Sequence, residues 1–82
     1  MINVLFFAQV RELLGVASIQ VPSEGITTAE QLRAHLAAQD VKWAQVLGSD
    51  KLLVAVNQTM SQWSSAVAAG DEVAFFPPVT GG

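Results

Sequence analysis

The stretch Gly70-Asp71-Glu72-Val73-Ala74-Phe75-Phe76-Pro77-Pro78 carries the most information about the fold. Gly70-Asp71 reads as a turn. Glu72 to Phe76 is rich in β-branched and aromatic residues and reads as the last strand. A strand's side-chain period is two, so Val73 and Phe75 share one face and Glu72, Ala74 and Phe76 the other. Pro77 and Pro78 must end it, since neither can donate to a ladder. The sequence then finishes Val79-Thr80-Gly81-Gly82.

Three further strands stand upstream. Leu52 to Val56 places Leu52, Val54 and Val56 on one face and Leu53, Ala55 and Asn57 on the other. Ile2 to Ala8 sets Ile2, Val4 and Phe6 against Asn3, Leu5 and Phe7, and Asn3 marks that second face as the wetter one. Ala17, Ile19 and Val21 alternate with Ser18 and Gln20, a half-buried strand ended by Pro22. Between the strands lie helical segments. Gln9 to Leu14 stops at a C-capping Gly15. Thr27-Thr28-Ala29-Glu30 matches a capping box, and the helix behind it runs to about Gln39 with Ala29, Leu32 and Leu36 in one stripe. Val41 to Leu47 forms a further turn or two, carries Trp43 and closes at Gly48. Gln58 to Ala69 is irregular, with a short strand or turn near Thr59-Met60. The order β, short helix, β, long helix, β, irregular, β predicts an α+β fold, a mixed sheet with its helices on one face. If the first two strands form a hairpin and the last lies beside the first, the arrangement is a β-grasp. Periodicity leaves that strand order open.

Composition narrows the functional classes. The chain has 82 residues, 51% of them hydrophobic and 13% charged. That is one domain, expected over residues 1–76 with an extended tail over 77–82, and too apolar to be disordered. A domain this small buries only about 60–65% of its unfolded surface, so it needs good packing or a partner. It contains no cysteine, which removes disulfides, thiolate zinc sites, iron–sulfur clusters and cysteine nucleophiles. One histidine, His35, cannot supply a multi-histidine metal site, so no metal is expected. The net charge is −3 and the four basic residues, Arg11, Arg33, Lys42 and Lys51, are scattered along the chain. Nucleic-acid binding needs a clustered basic face and is set aside. The amino terminus lacks a secretory n-region. The uncharged run from Leu52 to Gly70 is too interrupted by polar residues to span a membrane. A soluble, cytoplasmic protein is expected.

The tail suggests chemistry. Pro77-Pro78 fixes a stiff exit, and four further residues reach roughly 12–14 Å if extended. Gly81 and Gly82 carry no side chain, so they suit a narrow channel. A terminal carboxylate becomes reactive once adenylated by ATP. A sulfur donor can then displace the adenylate and leave a thiocarboxylate, the obvious way for a chain without cysteine to carry reactive sulfur. Two terminal glycines can also be a frayed end or a cloning scar, but a scar would not follow so directly on a strand and two prolines.

At this point the sequence resembles a known family. Phe75-Phe76-Pro77-Pro78-Val79-Thr80-Gly81-Gly82, preceded by Gly70-Asp71-Glu72-Val73-Ala74, is similar to the carboxy-terminal signature of molybdopterin synthase small subunits. Val4-Leu5-Phe6-Phe7-Ala8-Gln9-Val10-Arg11-Glu12-Leu13 resembles that family's opening, and Ala55-Val56-Asn57-Gln58 agrees after the third strand. The resemblance implies a ubiquitin-like β-grasp with a free extended tail. It implies that Gly82 is adenylated by an enzyme resembling ubiquitin-activating enzymes and converted to a thiocarboxylate, with Gly81 as its slim neighbour. The tail would enter the large subunit and give sulfur to cyclic pyranopterin monophosphate, two donations building the dithiolene. Alone the chain would then be no enzyme. It would bind no cofactor, ATP being used by the activating partner, and it would work in a two-plus-two heterotetramer. A sulfur carrier of the thiamine pathway, a ubiquitin-like modifier forming isopeptide bonds, and an interaction module with an inert tail are the alternatives. Only the last predicts no loss of function when Gly81-Gly82 is deleted.

Strand parity predicts the partner surface. Leu5, Phe7, Leu53, Ala55, Ala74 and Phe76 face outward; Ile2, Val4, Phe6, Leu52, Val54, Val56, Val73 and Phe75 face the helices. Exposed apolar patches on small domains mark partner sites. Phe7, Phe76 and Met60 are expected to anchor the large subunit, with Pro77, Pro78, Val79 and Thr80 leading into it. The competing reading makes these side chains core, or covers them with the loop from Gln58 to Ala69. Arg11 is either a contact for an acidic group on the activating enzyme or a solvated charge. Asp71-Glu72 reads as turn chemistry, Trp43 and Trp63 as packing. His35 lacks a partner base, Ser64-Ser65 lacks a nucleophile-elbow context, and no glycine-rich phosphate loop is present.

Overall fold

The structure, a computed structural model, describes residues 1–78. In chain order the described elements are β1 (Ile2–Phe6), α1 (Ala8–Leu14), β2 (Ser18–Val21), α2 (Ala29–Ala37), α3 (Val41–Leu47), β3 (Leu53–Val56), β4 (Thr59–Met60) and β5 (Glu72–Phe76). They build a five-stranded sheet of order β2-β1-β5-β3-β4. β1 pairs antiparallel with β2 and parallel with β5, while β3 runs antiparallel to both β5 and β4. The first and last strands are therefore central neighbours, the condition for a β-grasp. A parallel pair cannot be closed by a tight turn. Here the chain segment separating the two strands carries all three helices.

The core follows from strand parity. Ile2, Val4, Phe6, Leu52, Val54, Val73 and Phe75 are buried against Val10 and Leu14 of α1, Leu32 and Leu36 of α2 and Leu47 of α3. Aromatic rings bind this layer together. Phe6 meets Trp43 edge-on at 5.6 Å and stacks on Phe75 at 6.1 Å, and Phe75 stacks on Trp63 at 5.8 Å. Arg33 caps the series, its guanidinium 4.0 Å from the Trp63 ring centre. Both tryptophans thus pack at the margin of the core.

Some expectations shift. The capping box lies one residue downstream. Thr28 is the N-cap, its Oγ1 accepting from the Gln31 N–H at 3.2 Å, while Gln31 Oε1 accepts from the N–H of Thr27 at 2.6 Å. Glu30 instead pairs with Arg33. The reason is that residues 61–71 already serve the helix start: the N–H groups of Ala29 and Glu30 donate to the carbonyls of Ser65 and Trp63. α2 ends at Ala37 rather than Gln39. Ala17 is exposed ahead of β2, and Val56, near the hairpin end of the sheet, is half-buried rather than fully inside. Ala74 is buried rather than exposed, because its single methyl sits in a central strand between Leu5 and Ala55.

Candidate functional site

The helix-free face of the sheet presents a row of apolar side chains at the root of the tail. Phe6 pairs with Phe75, and the Phe7 N–H donates to the Phe75 carbonyl at 3.2 Å, which sets Phe7 beside Phe76. Phe76 pairs in turn with Leu53. One step away a second row crosses four strands, Leu5 to Ala74 to Ala55 to Met60. A third step reaches Asn3, Glu72 and Asn57, where the face becomes polar. Phe7 is 47% exposed and Met60 60%; Leu5, Leu53, Ala55 and Phe76 are half-buried. The loop after Met60 leaves this face open. Trp63 turns to the opposite side and stacks on Phe75, so Phe7 and Met60 are neither core nor covered.

The local backbone explains how these anchors are held. Phe7 is the N-cap of α1 and makes no side-chain cap, its carbonyl instead accepting from the N–H groups of Val10 and Arg11. Ala8 turns the chain from strand to helix with φ at +52°, a left-handed conformation that costs a non-glycine residue roughly 1–2 kcal/mol. At the other end of the patch, Asn57 and Gln58 have φ of +51° and +67°. Two successive positive values make a two-residue hairpin turn of the primed type, whose twist matches the flanking strands. This turn pairs Val56 with Thr59 and Ala55 with Met60.

Asn57 also clasps the hairpin to the start of β5. Its Nδ2 donates to Asp71 Oδ1 at 3.1 Å, its Oδ1 accepts from the Glu72 N–H at 3.0 Å, and its own N–H donates to the Glu72 carbonyl at 2.7 Å. Asp71 Oδ2 accepts from the Ala68 N–H at 2.8 Å. These bonds, that from Ala68 first and that from Asn57 second, hold the Asp71 carboxyl below its ordinary range. Sequence reading saw turn chemistry at Asp71 and missed the clasp. The Asn57-Gln58 dipeptide between two apolar runs was its available signal.

The tail leaves this face at Pro77, which is half-buried, and Pro78, which is exposed. Val79, Thr80, Gly81 and Gly82 lie outside the described residues. Arg11 is exposed on α1, and among the described residues its guanidinium has no hydrogen-bond or ion-pair partner. His35 is exposed beside Gln39, and Ser65 Oγ accepts from the Gln62 N–H in a local turn. Among the described residues no group of three metal-ligating side chains comes together, and no helix is long and apolar enough to cross a membrane.

Fold and surface thus define a class: a small β-grasp domain whose carboxy-terminal strand leads out of the sheet beside an apolar surface patch. The chain belongs to the ThiS family, whose model matches residues 4–82. It is 60% identical to the molybdopterin synthase sulfur carrier subunit of Haemophilus influenzae and 56% identical to that of Escherichia coli, each over the full length of both chains. It is 35% identical to small archaeal modifier protein 1 of Haloferax volcanii over 93% of this chain and 94% of that protein. A crystal structure of that modifier superposes with a TM-score of 0.75, covering 95% of this chain and 97% of the other at 26% identity.

Proposed function

We propose that this chain is the sulfur carrier subunit of a molybdopterin synthase. The observation that carries the reading is full-length identity of 60% and 56% to two such subunits. The fold supports it physically. The parallel pairing of β1 with β5 sets Phe7 at the root of the tail, so a partner seated on the outer face is already placed to receive the tail.

In this reading Gly82 is adenylated by a separate enzyme that binds the ATP. A sulfur donor then converts the adenylate to a thiocarboxylate, and Gly81 lets the terminus pass a narrow channel. A large subunit anchors Phe7, Phe76 and Met60, with Pro77, Pro78, Val79 and Thr80 leading into it. There the thiocarboxylate gives its sulfur to cyclic pyranopterin monophosphate, the two halves working as a cytoplasmic heterotetramer whose active site is on the large subunit. Arg11 serves as a contact for an acidic group on the activating enzyme. Residues 77–82 act as a tail separate from the domain.

The relationship to an archaeal modifier protein favours a second reading, a ubiquitin-like modifier that forms an isopeptide bond to a lysine. Both readings share the adenylate and part after it. The test is mass spectrometry of the carboxy-terminal peptide after incubation with an activating enzyme, ATP and a sulfur source. Sulfur must be placed on Gly82 by fragmentation, because an oxygen-to-sulfur exchange resembles oxidation of Met1 or Met60 in nominal mass. Sulfur at Gly82 that passes to the pterin supports the carrier. A stable lysine conjugate as the main product supports the modifier. A terminus that stays a carboxylate beside a competent activating system rules out sulfur carriage.

A further inference from the structure

Two of the four cations, Lys42 and Lys51, nine residues apart in sequence, line one groove. A groove of about 620 Å³ opens on the helix side of the tail root, between α1, α3 and the segment entering β3. Leu13, Val46, Leu52 and Pro77 give it apolar walls, and among the described residues Lys42 and Lys51 are the charged side chains that line it. Among the described residues no carboxylate lines it, in a chain whose net charge is −3. The nearest acids in sequence are turned to other work or lie outside the groove: Asp40 caps α3 through the Lys42 N–H, and Asp50 is exposed. Both lysines are exposed, and among the described residues neither ammonium group has a hydrogen-bond or ion-pair partner. Leu13 is 43% exposed.

We infer that this groove is a second docking surface, and that its occupant is a segment of the large subunit presenting an apolar side chain flanked by carboxylates. The inference rests on the proposed function. A protein that encloses the tail must contact its root on both sides. The outer face supplies one side, and its row nearest the tail, Phe7, Phe76 and Leu53, carries no charge. The groove supplies the other, shares Pro77 and Pro78 with the tail itself, and offers two cations to an acidic partner. Complementary charge at such a rim speeds encounter and sets register more than it adds affinity.

The test is titration of the purified large subunit with the full chain at low and high ionic strength. The double variant Lys42→Glu, Lys51→Glu should bind about tenfold more weakly at low salt, with the deficit shrinking as salt rises. Its circular dichroism and thermal midpoint should match the wild type. Leu13→Ala should lose a few-fold in affinity independently of salt, which separates the apolar wall from the charged rim. Unchanged affinity in the double variant overturns the inference. So does tighter binding, which would mean that the chain's own terminal carboxylate competes for the groove. Intact affinity with slower thiocarboxylate formation also overturns it and gives the groove to the activating enzyme. Wild-type chain that does not bind the large subunit at all defeats the proposed function itself.

Discussion

The two faces of one sheet use the same residue types for opposite ends. On the helix side Phe6 and Phe75 are buried and locked between Trp43 and Trp63. On the other side Phe7 and Phe76, their immediate neighbours in sequence, meet solvent. A shift of one residue separates a core ring from a surface ring. Hydrophobicity therefore does not say which phenylalanine holds the domain together and which meets solvent; parity and layering do.

Phe75→Ala should break the comparison most violently. Truncating a fully buried ring costs about 3–5 kcal/mol, much of the stability of a domain this small, and chemical denaturation should show a midpoint shifted sharply down. Phe7→Asp makes the opposite case. Its ring is 47% exposed, so stability should change by no more than about 0.5 kcal/mol. Affinity for the large subunit should fall by about 2 kcal/mol, the loss expected of an aromatic anchor. Phe76→Asp should likewise weaken the complex while leaving the isolated domain folded. Were it to unfold, Phe76 would belong to the core side of the comparison.

Asn57→Ala removes the clasp that fixes the far end of the outer face. The loss of two side-chain hydrogen bonds and of an asparagine suited to positive φ should cost about 1–2 kcal/mol. It should also loosen the pairing of Met60 with Ala55, visible as faster amide exchange in β4. Asp71 gives a pH signature. Its carboxyl titrates lower in the folded chain than in the unfolded one. The folded state therefore gains stability from it above the unfolded carboxylate range, and that gain is lost as pH falls through the folded value. Asp71→Asn should flatten the acid limb of the stability profile at this site while leaving the neutral-pH fold in place. The smallest effect expected is a gain. Gln58 holds φ of +67°, and Gln58→Gly should raise stability by roughly 0.5 kcal/mol by relieving it.

Much of this was legible in sequence because it is local. Val73 and Phe75 share a face whatever their neighbours, Pro77 and Pro78 end a ladder wherever they stand, and Gly15 accepts its φ of +79° without a side chain to obstruct it. The resemblance of the tail and of the opening segment pointed to the family. The capping box lies one residue downstream of its expected place because one of the two donors it would satisfy, the Glu30 N–H, is taken by the Trp63 carbonyl, a contact between distant parts of the chain, while the other, the Thr27 N–H, goes to Gln31. Ala74 was placed outside because parity counts faces but not the width of the flanking side chains.

The sequence by itself determined the strand faces, the helix stripe, the proline stop of the last strand and, through family resemblance, the chemistry expected of Gly82. Tertiary structure alone decided three things. It set β1 parallel to β5 and so brought Phe7 to Phe76. It clasped Asn57 to Asp71, and it gathered Lys42 and Lys51 around one groove. Each joins residues far apart in the chain, and periodicity carries no information on which strand or helix will become a neighbour. That choice belongs to the packing of the whole core.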